Sequence, residues 1–102
     1  MTVLRLGIVG AGSIVAKKHL LALAEVPEIA VAALCRRDAG ALQMLADRFR
    51  IPGRYTDYRD LLSDPGIDAV LVATGPAAQP EIVMDAVVAG KHVFAEKPMA
   101  AT

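Results

Sequence analysis

Apolar residues fall along this chain in two alternating rhythms: short unbroken runs, then longer stretches in which they return every three or four positions. Residues 4–9, apolar apart from Arg5 and Gly7, predict a strand that runs straight into Gly10. Over 13–24 the positions Ile14, Leu20, Leu21 and Leu23 have helical spacing, with Ser13 near the start and Pro27 just past the end. The unbroken run at 29–34 has the length of a strand buried on both faces, and 39–49 returns to helical spacing through Leu42, Leu45, Ala46 and Phe49. Pro52-Gly53 punctuates the chain before a brief strand at 54–55, and a short helix at 58–62 ends near Asp64-Pro65-Gly66. A fourth strand at 69–73 breaks at Thr74-Gly75-Pro76. A helix at 80–88 then carries Ile82, Val83, Ala86 and Val87 on one face, with Gly90 where a helix end favours positive φ, and 92–95 forms a fifth strand. Strands alternating with helices predict an α/β fold: a doubly wound parallel sheet of about five strands with right-handed crossovers.

Composition narrows what such a sheet could serve. With 55% hydrophobic and 22% charged residues, 102 residues suffice for one packed core, so a single domain over 1–102 is expected. The formal net charge is zero, which leaves no basic face for nucleic acid and no polybasic run for an anionic membrane. Small molecules or proteins are the expected partners. The lone Cys35 cannot form an internal disulfide and sits in an apolar run, which fits a core residue in a reducing cytoplasm. Gly7, Gly10 and Gly12 interrupt the apolar N-terminal stretch, so no export signal is read there. The run at 29–35 is far short of the roughly 20 residues of a membrane span. A soluble, cytoplasmic chain is expected, and no metal-ligand set is read from it.

Candidate chemistry gathers at the strand ends. In Gly10-Ala11-Gly12-Ser13-Ile14-Val15, Gly10 permits a tight bend and Gly12 lets backbone approach a pyrophosphate, whose charge suits the amides and dipole of a helix start. Val15 stands where the third glycine or alanine of that fingerprint falls. The second strand leads into Arg36-Arg37-Asp38, the region where an acidic residue binds the adenosine ribose; an arginine there can pair with a 2′-phosphate and lie against adenine, which favours NADP(H) over NAD(H). The alternative is that Arg36 and Arg37 are solvated charges while Asp38 caps the following helix. Thr74 and Pro76 lie in the turn after the fourth strand, close to where a nicotinamide ribose would rest, although such a turn is also ordinary strand-to-helix punctuation. In Glu96-Lys97-Pro98 the lysine can polarise a hydroxyl or carbonyl oxygen and Glu96 can order the ribose; a surface ion pair is the alternative. His19 and His92 read as structural.

Three segments, Gly7 to Ile14, Asp68 to Thr74 and Ala89 to Pro98, together resemble the Gfo/Idh/MocA family of NAD(P)-dependent oxidoreductases in order and in motif, most specifically in Gly90-Lys91-His92-Val93 followed by Glu96-Lys97-Pro98. The resemblance implies that Lys97 is catalytic, contacting the nicotinamide ribose and the reacting hydroxyl, and that Glu96 positions the cofactor. It implies hydride transfer between NADP, or NAD, and a sugar, polyol or related cyclic alcohol. Gln79 stands where family members often carry a histidine.

Members of that family continue into a second α/β domain that supplies substrate contacts. The 102 residues are therefore expected to be the dinucleotide-binding part alone, without turnover by themselves and prone to self-association through an uncovered fifth strand. A second reading is a non-catalytic dinucleotide-sensing or protein-interaction module derived from the same family.

Overall fold

The computed structural model describes residues 3–10, 14–75 and 77–95, the side chains of residues 14–16 excepted. Within these, the order is β1 (Leu4–Val9), α1 (Ile14–Leu23), β2 (Ile29–Cys35), α2 (Ala39–Phe49), β3 (Gly53–Tyr55), α3 (Tyr58–Leu62), β4 (Ala69–Val72), α4 (Gln79–Val88) and β5 (His92–Ala95). Every expected element is present, with ends displaced by a residue at most. Glycine at position 53 joins β3 because its missing side chain lets the strand lie 2.7 Å, measured from an ideal Cβ, from the Ala32 carbonyl and the Ala33 Cβ.

All strand pairs are parallel, in the order β3-β2-β1-β4-β5. The chain thus builds outward from β1 in one direction and then crosses to β4 on its other side. Strand alternation divides the core into two layers. Leu6, Ile8, Leu34, Ala69 and Leu71 face one way, onto Leu20 of α1 and Leu42, Leu45 and Ala46 of α2. Val9, Ala33, Cys35, Val70 and Val72 face the other way, onto Leu61 and Leu62 of α3 and Ile82 and Ala86 of α4. This is the doubly wound arrangement, and its fully buried Ile8, Leu34, Leu61, Val70 and Val72 contribute about 1.5–3 kcal/mol each. Between Leu6 and Gly7 the β1–β2 register slips past Ala32, a bulge. The slip falls where Gly7 leaves room for Leu61.

Caps and turns set the helix ends. Asp38 accepts a hydrogen bond from the Ala41 amide at 3.1 Å and Asp57 one from the Arg59 amide at 2.9 Å, so α2 and α3 both start on an aspartate cap. Gly90 takes φ +79° after α4, while α2 ends on Arg50 in the left-handed region at φ +55°, which its sequence does not announce. Below the amino-terminal ends of β1, β4 and β5, Lys91 Nζ donates to the Asp64 and Ile67 carbonyls, and Arg5 Nε to the Gly66 carbonyl. These bonds tie the turn before β4 to its neighbours at that end of the sheet; the opposite edge is the carboxyl one.

Candidate functional site

At that opposite, carboxyl edge the strand ends are stitched by single backbone bonds: Gly10 N–H to the Cys35 carbonyl, Ala73 N–H to that of Val9, and Arg36 N–H to that of Tyr55. Above them lies a crevice of about 630 Å³, bounded by Val9 and Gly10, Cys35 to Arg37, Thr56 to Arg59, and Thr74 and Glu81 across from them. It spans the point where β1 and β4 part toward opposite faces. That topological switch is where open α/β sheets bind ligands.

Gly10 forms the floor. Its φ is +90°, and a Cβ there would lie 2.8 Å from both the carbonyl carbon and oxygen of Ala73 and 3.0 Å from Thr74 Cγ2. No other residue type fits both the angle and the space. The backbone is therefore bare at the crevice, as a pyrophosphate requires. On the β2 side, half-buried Arg36 and exposed Arg37 line the cavity, and neither guanidinium forms an ion pair among the described residues. Asp38 is occupied as the α2 cap. On the β4 side, Thr74 Oγ1 is buried and has no hydrogen-bond partner among the described residues. A buried hydroxyl in that condition costs about 1–3 kcal/mol unless a ligand supplies the partner. A backbone stripped of side chain, two available guanidinium groups and an orphaned hydroxyl around one crevice fit a dinucleotide.

Cys35 also lines the cavity wall, and burial, reinforced by the negative charges of Asp57 and Asp60, pushes its thiol up to about 11. It is a packing residue, as its apolar run predicts. Of the other expected site residues, Gly12, Ser13, Pro76, Glu96 and Lys97 lie outside the described residues, as does the side chain of Ile14 and that of Val15. Gln79 is buried in the first turn of α4.

Sequence reasoning left out one wall of the crevice. Asp57 at the cap of α3, Tyr58 and Arg59 on it and Glu81 on α4 all border it, because α3 and α4 lie side by side on the same face of the sheet. Tyr58 donates its hydroxyl to Asp85, which joins the two helices and pushes the phenol up to about 12. The aspartate cap at position 57 marks the start of α3, but only the sheet order reveals that α3 faces α4.

A parallel, doubly wound sheet with such a crevice defines a dinucleotide-binding Rossmann domain. The chain belongs to the Gfo/Idh/MocA oxidoreductase family: the pattern of its NAD-binding Rossmann fold matches residues 4–102. Inositol 2-dehydrogenase of Salmonella typhimurium is 38% identical over 101 residues, 97% of this chain and 30% of that protein. A dTDP-3,4-didehydro-2,6-dideoxy-alpha-D-glucose 3-reductase of Saccharopolyspora spinosa is 37% identical, over 96% of this chain and 29% of its own length. Among solved structures, levoglucosan dehydrogenase in complex with NADH and L-sorbose superposes with a TM-score of 0.89 at 30% identity, over 98% of this chain and 29% of that one. A 3-ketoreductase from Actinomadura kijaniata, in complex with TDP-benzene and NADP, gives 0.87 at 31% identity, over 97% and 31%. The chain spans under a third of the length of these relatives. Among the described residues no helix is long and apolar enough to cross a membrane.

Proposed function

We propose that residues 1–102 form the cofactor-binding domain of a cytoplasmic oxidoreductase that transfers a hydride between NAD(P) and a sugar, polyol or related cyclic alcohol, with NADP(H) preferred. The observation that carries this reading is the pair of guanidinium groups, Arg36 and Arg37, at the rim of the crevice where β2 ends. A 2′-phosphate brings up to two negative charges to that position, and Arg offers planar, paired donors for it. An NAD-selective site would present a carboxylate there, and the one next in the sequence, Asp38, is committed to its helix.

In this reading Gly12, Ser13 and Ile14 receive the pyrophosphate on backbone amides, and Gly10, whose own amide is bonded to the Cys35 carbonyl, makes room for it by lacking a side chain. Thr74 gives its orphaned hydroxyl to the cofactor, with Pro76 shaping the same turn. Glu96 orders the ribose, and Lys97, just past the end of β5, holds the reacting oxygen and its proton. Nicotinamide, when bound, supplies the carbon that accepts or gives the hydride. The substrate side of the reaction falls to residues beyond this domain, in keeping with relatives more than three times as long.

Fluorescence titration with NADPH and NADH at fixed salt tests the assignment. Tighter binding of NADPH, reversed by Arg36→Asp, is the expected result; equal affinities for both, unchanged in the variant, would refute the 2′-phosphate role.

A second copy of the chain is the partner proposed for β5. Among the described residues this strand is one of the two sheet edges, its Phe94 is 53% exposed, and Met84 and Val88 of the neighbouring α4 are also open to solvent. An uncovered edge with apolar side chains is adhesive. Sedimentation at micromolar concentration should show dimers that Phe94→Lys dissociates, and a monomer throughout would refute the interface.

A further inference from the structure

We propose that Arg59, held between Asp57 and Glu81 on the wall formed by α3 and α4, sets how strongly the crevice discriminates between dinucleotides with and without a 2′-phosphate. The inference rests on the reading of this crevice as the dinucleotide site and adds a wall that the β2 arginines do not include.

Arg59 is the third guanidinium on the cavity, and it differs from the other two in its surroundings. One terminal nitrogen lies 3.7 Å from Asp57 Oδ1 and the other 3.8 Å from Glu81 Oε1, while its carbon sits 4.9 Å from the centre of the Tyr58 ring. Both ion pairs are longer than a hydrogen bond and all three side chains are at least half exposed, so the pairs add little to stability. The Tyr58 ring beneath is fixed by its bond to Asp85. Arg59 therefore rests on a fixed aromatic plate between two loosely engaged carboxylates. It can re-aim toward an incoming anion at small cost.

The charges on the cavity give the consequence. Among the described lining residues Arg36, Arg37 and Arg59 oppose Asp57 and Glu81, a net of +1. The Asp57 oxygen that faces Arg59 also accepts the Arg59 amide, so that carboxylate stays with its helix start. Among the described residues Glu81 has no such second task, and its negative charge borders the cavity that the 2′-phosphate would enter. Arg59 draws a 2′-phosphate and Glu81 opposes it; a ribose hydroxyl, being neutral, feels neither strongly. The pyrophosphate is common to both cofactors, so whatever the two residues do to it cancels in the ratio of affinities, which reads the 2′-phosphate alone.

A cavity of 630 Å³ is roughly 9 Å across. At that distance, in a water-like dielectric, a unit charge changes the binding of a doubly charged phosphate by about fivefold. The test is the ratio of NADPH to NADH affinity, by fluorescence titration of the chain at low and high salt. Glu81→Gln should raise the preference for NADPH about fivefold, Arg59→Met should lower it about fivefold, and Arg59→Lys should restore most of it. The double variant should return near the starting ratio, and the effects of Glu81→Gln and Arg59→Met should shrink at high salt. A role limited to supporting α3 and α4 would weaken both cofactors alike and leave the ratio where it was; that result overturns the inference while leaving the dinucleotide site intact. Failure of the unaltered chain to bind either cofactor would instead remove the site on which the inference rests.

Discussion

Replacing Gly10 by alanine places a methyl carbon 2.8 Å from the carbonyl group of Ala73, about 0.6 Å inside ordinary contact, on a residue whose φ is +90°. The angle alone costs an L-residue about 1–2 kcal/mol. Relief of the clash requires the end of β4 to retreat from β1, which stretches the bond from Ala73 N–H to the Val9 carbonyl, now 2.8 Å, and adds about 1 kcal/mol. Lower chain entropy in the unfolded state returns about 0.4–1 kcal/mol, for a net loss of roughly 2 kcal/mol. At a urea slope of about 1.5 kcal/mol/M the midpoint should fall by roughly 1.3 M, with dinucleotide binding lost because the crevice floor is filled. Gly40→Ala is the matched control: in α2 its Cβ would meet only Asp38 Oδ1, at 3.5 Å, and helix propensity predicts a gain of about 0.5–1 kcal/mol. If Gly10→Ala unfolds within about 0.3 M of the unaltered chain, the packing and strain argument for the crevice floor is wrong.

Tyr58→Phe removes the bond that ties α3 to α4 and should cost about 1.5 kcal/mol in urea unfolding. Because the folded-state phenol is raised to about 12, its contribution is fully present below the unfolded value near 10 and disappears as pH rises from 10 toward 12; Tyr58→Phe should flatten that alkaline fall, and an identical profile in both proteins would count against it. Cys35, with its thiol near 11, should be about one-thousandth thiolate at pH 8 and react with a disulfide reagent more than 100-fold slower than free cysteine until the protein unfolds. A native rate within tenfold of the free thiol would show that the β2 end is open.

The sheet was legible in the sequence because β2 and β4 are largely buried, so the runs 29–34 and 69–73 have no polar interruption, while Gly10 after β1, Asp38 before α2 and Gly90 after α4 each mark an element end with a local reason visible in one residue. The β2 arginines were legible by their distance from the glycine turn, which identifies the rim. The wall containing Arg59 and Glu81 was not. Those residues are 22 positions apart and meet only because α3 and α4 pack on one face, a fact of topology that periodicity does not carry. Thr74 was picked out by position, but its unpartnered hydroxyl, the stronger signal, exists only in the folded chain.

The central place of β1 bears on how the protein is made. Of the five described strands β1 is synthesised before the others, and β2 can reach it soon after, with Leu4 opposite Ile29. Its other edge waits for β4, where Leu6 meets Ala69, 63 positions later; at ~5–20 residues per second that is roughly 3–12 s of synthesis. During that interval one side of the strand that carries the glycine turn is unpaired, and closure then depends on a long-range contact of the kind that slows folding. A nascent chain held at Tyr55 should therefore bind chaperones that recognise exposed apolar strands, and release them once synthesis has passed β4.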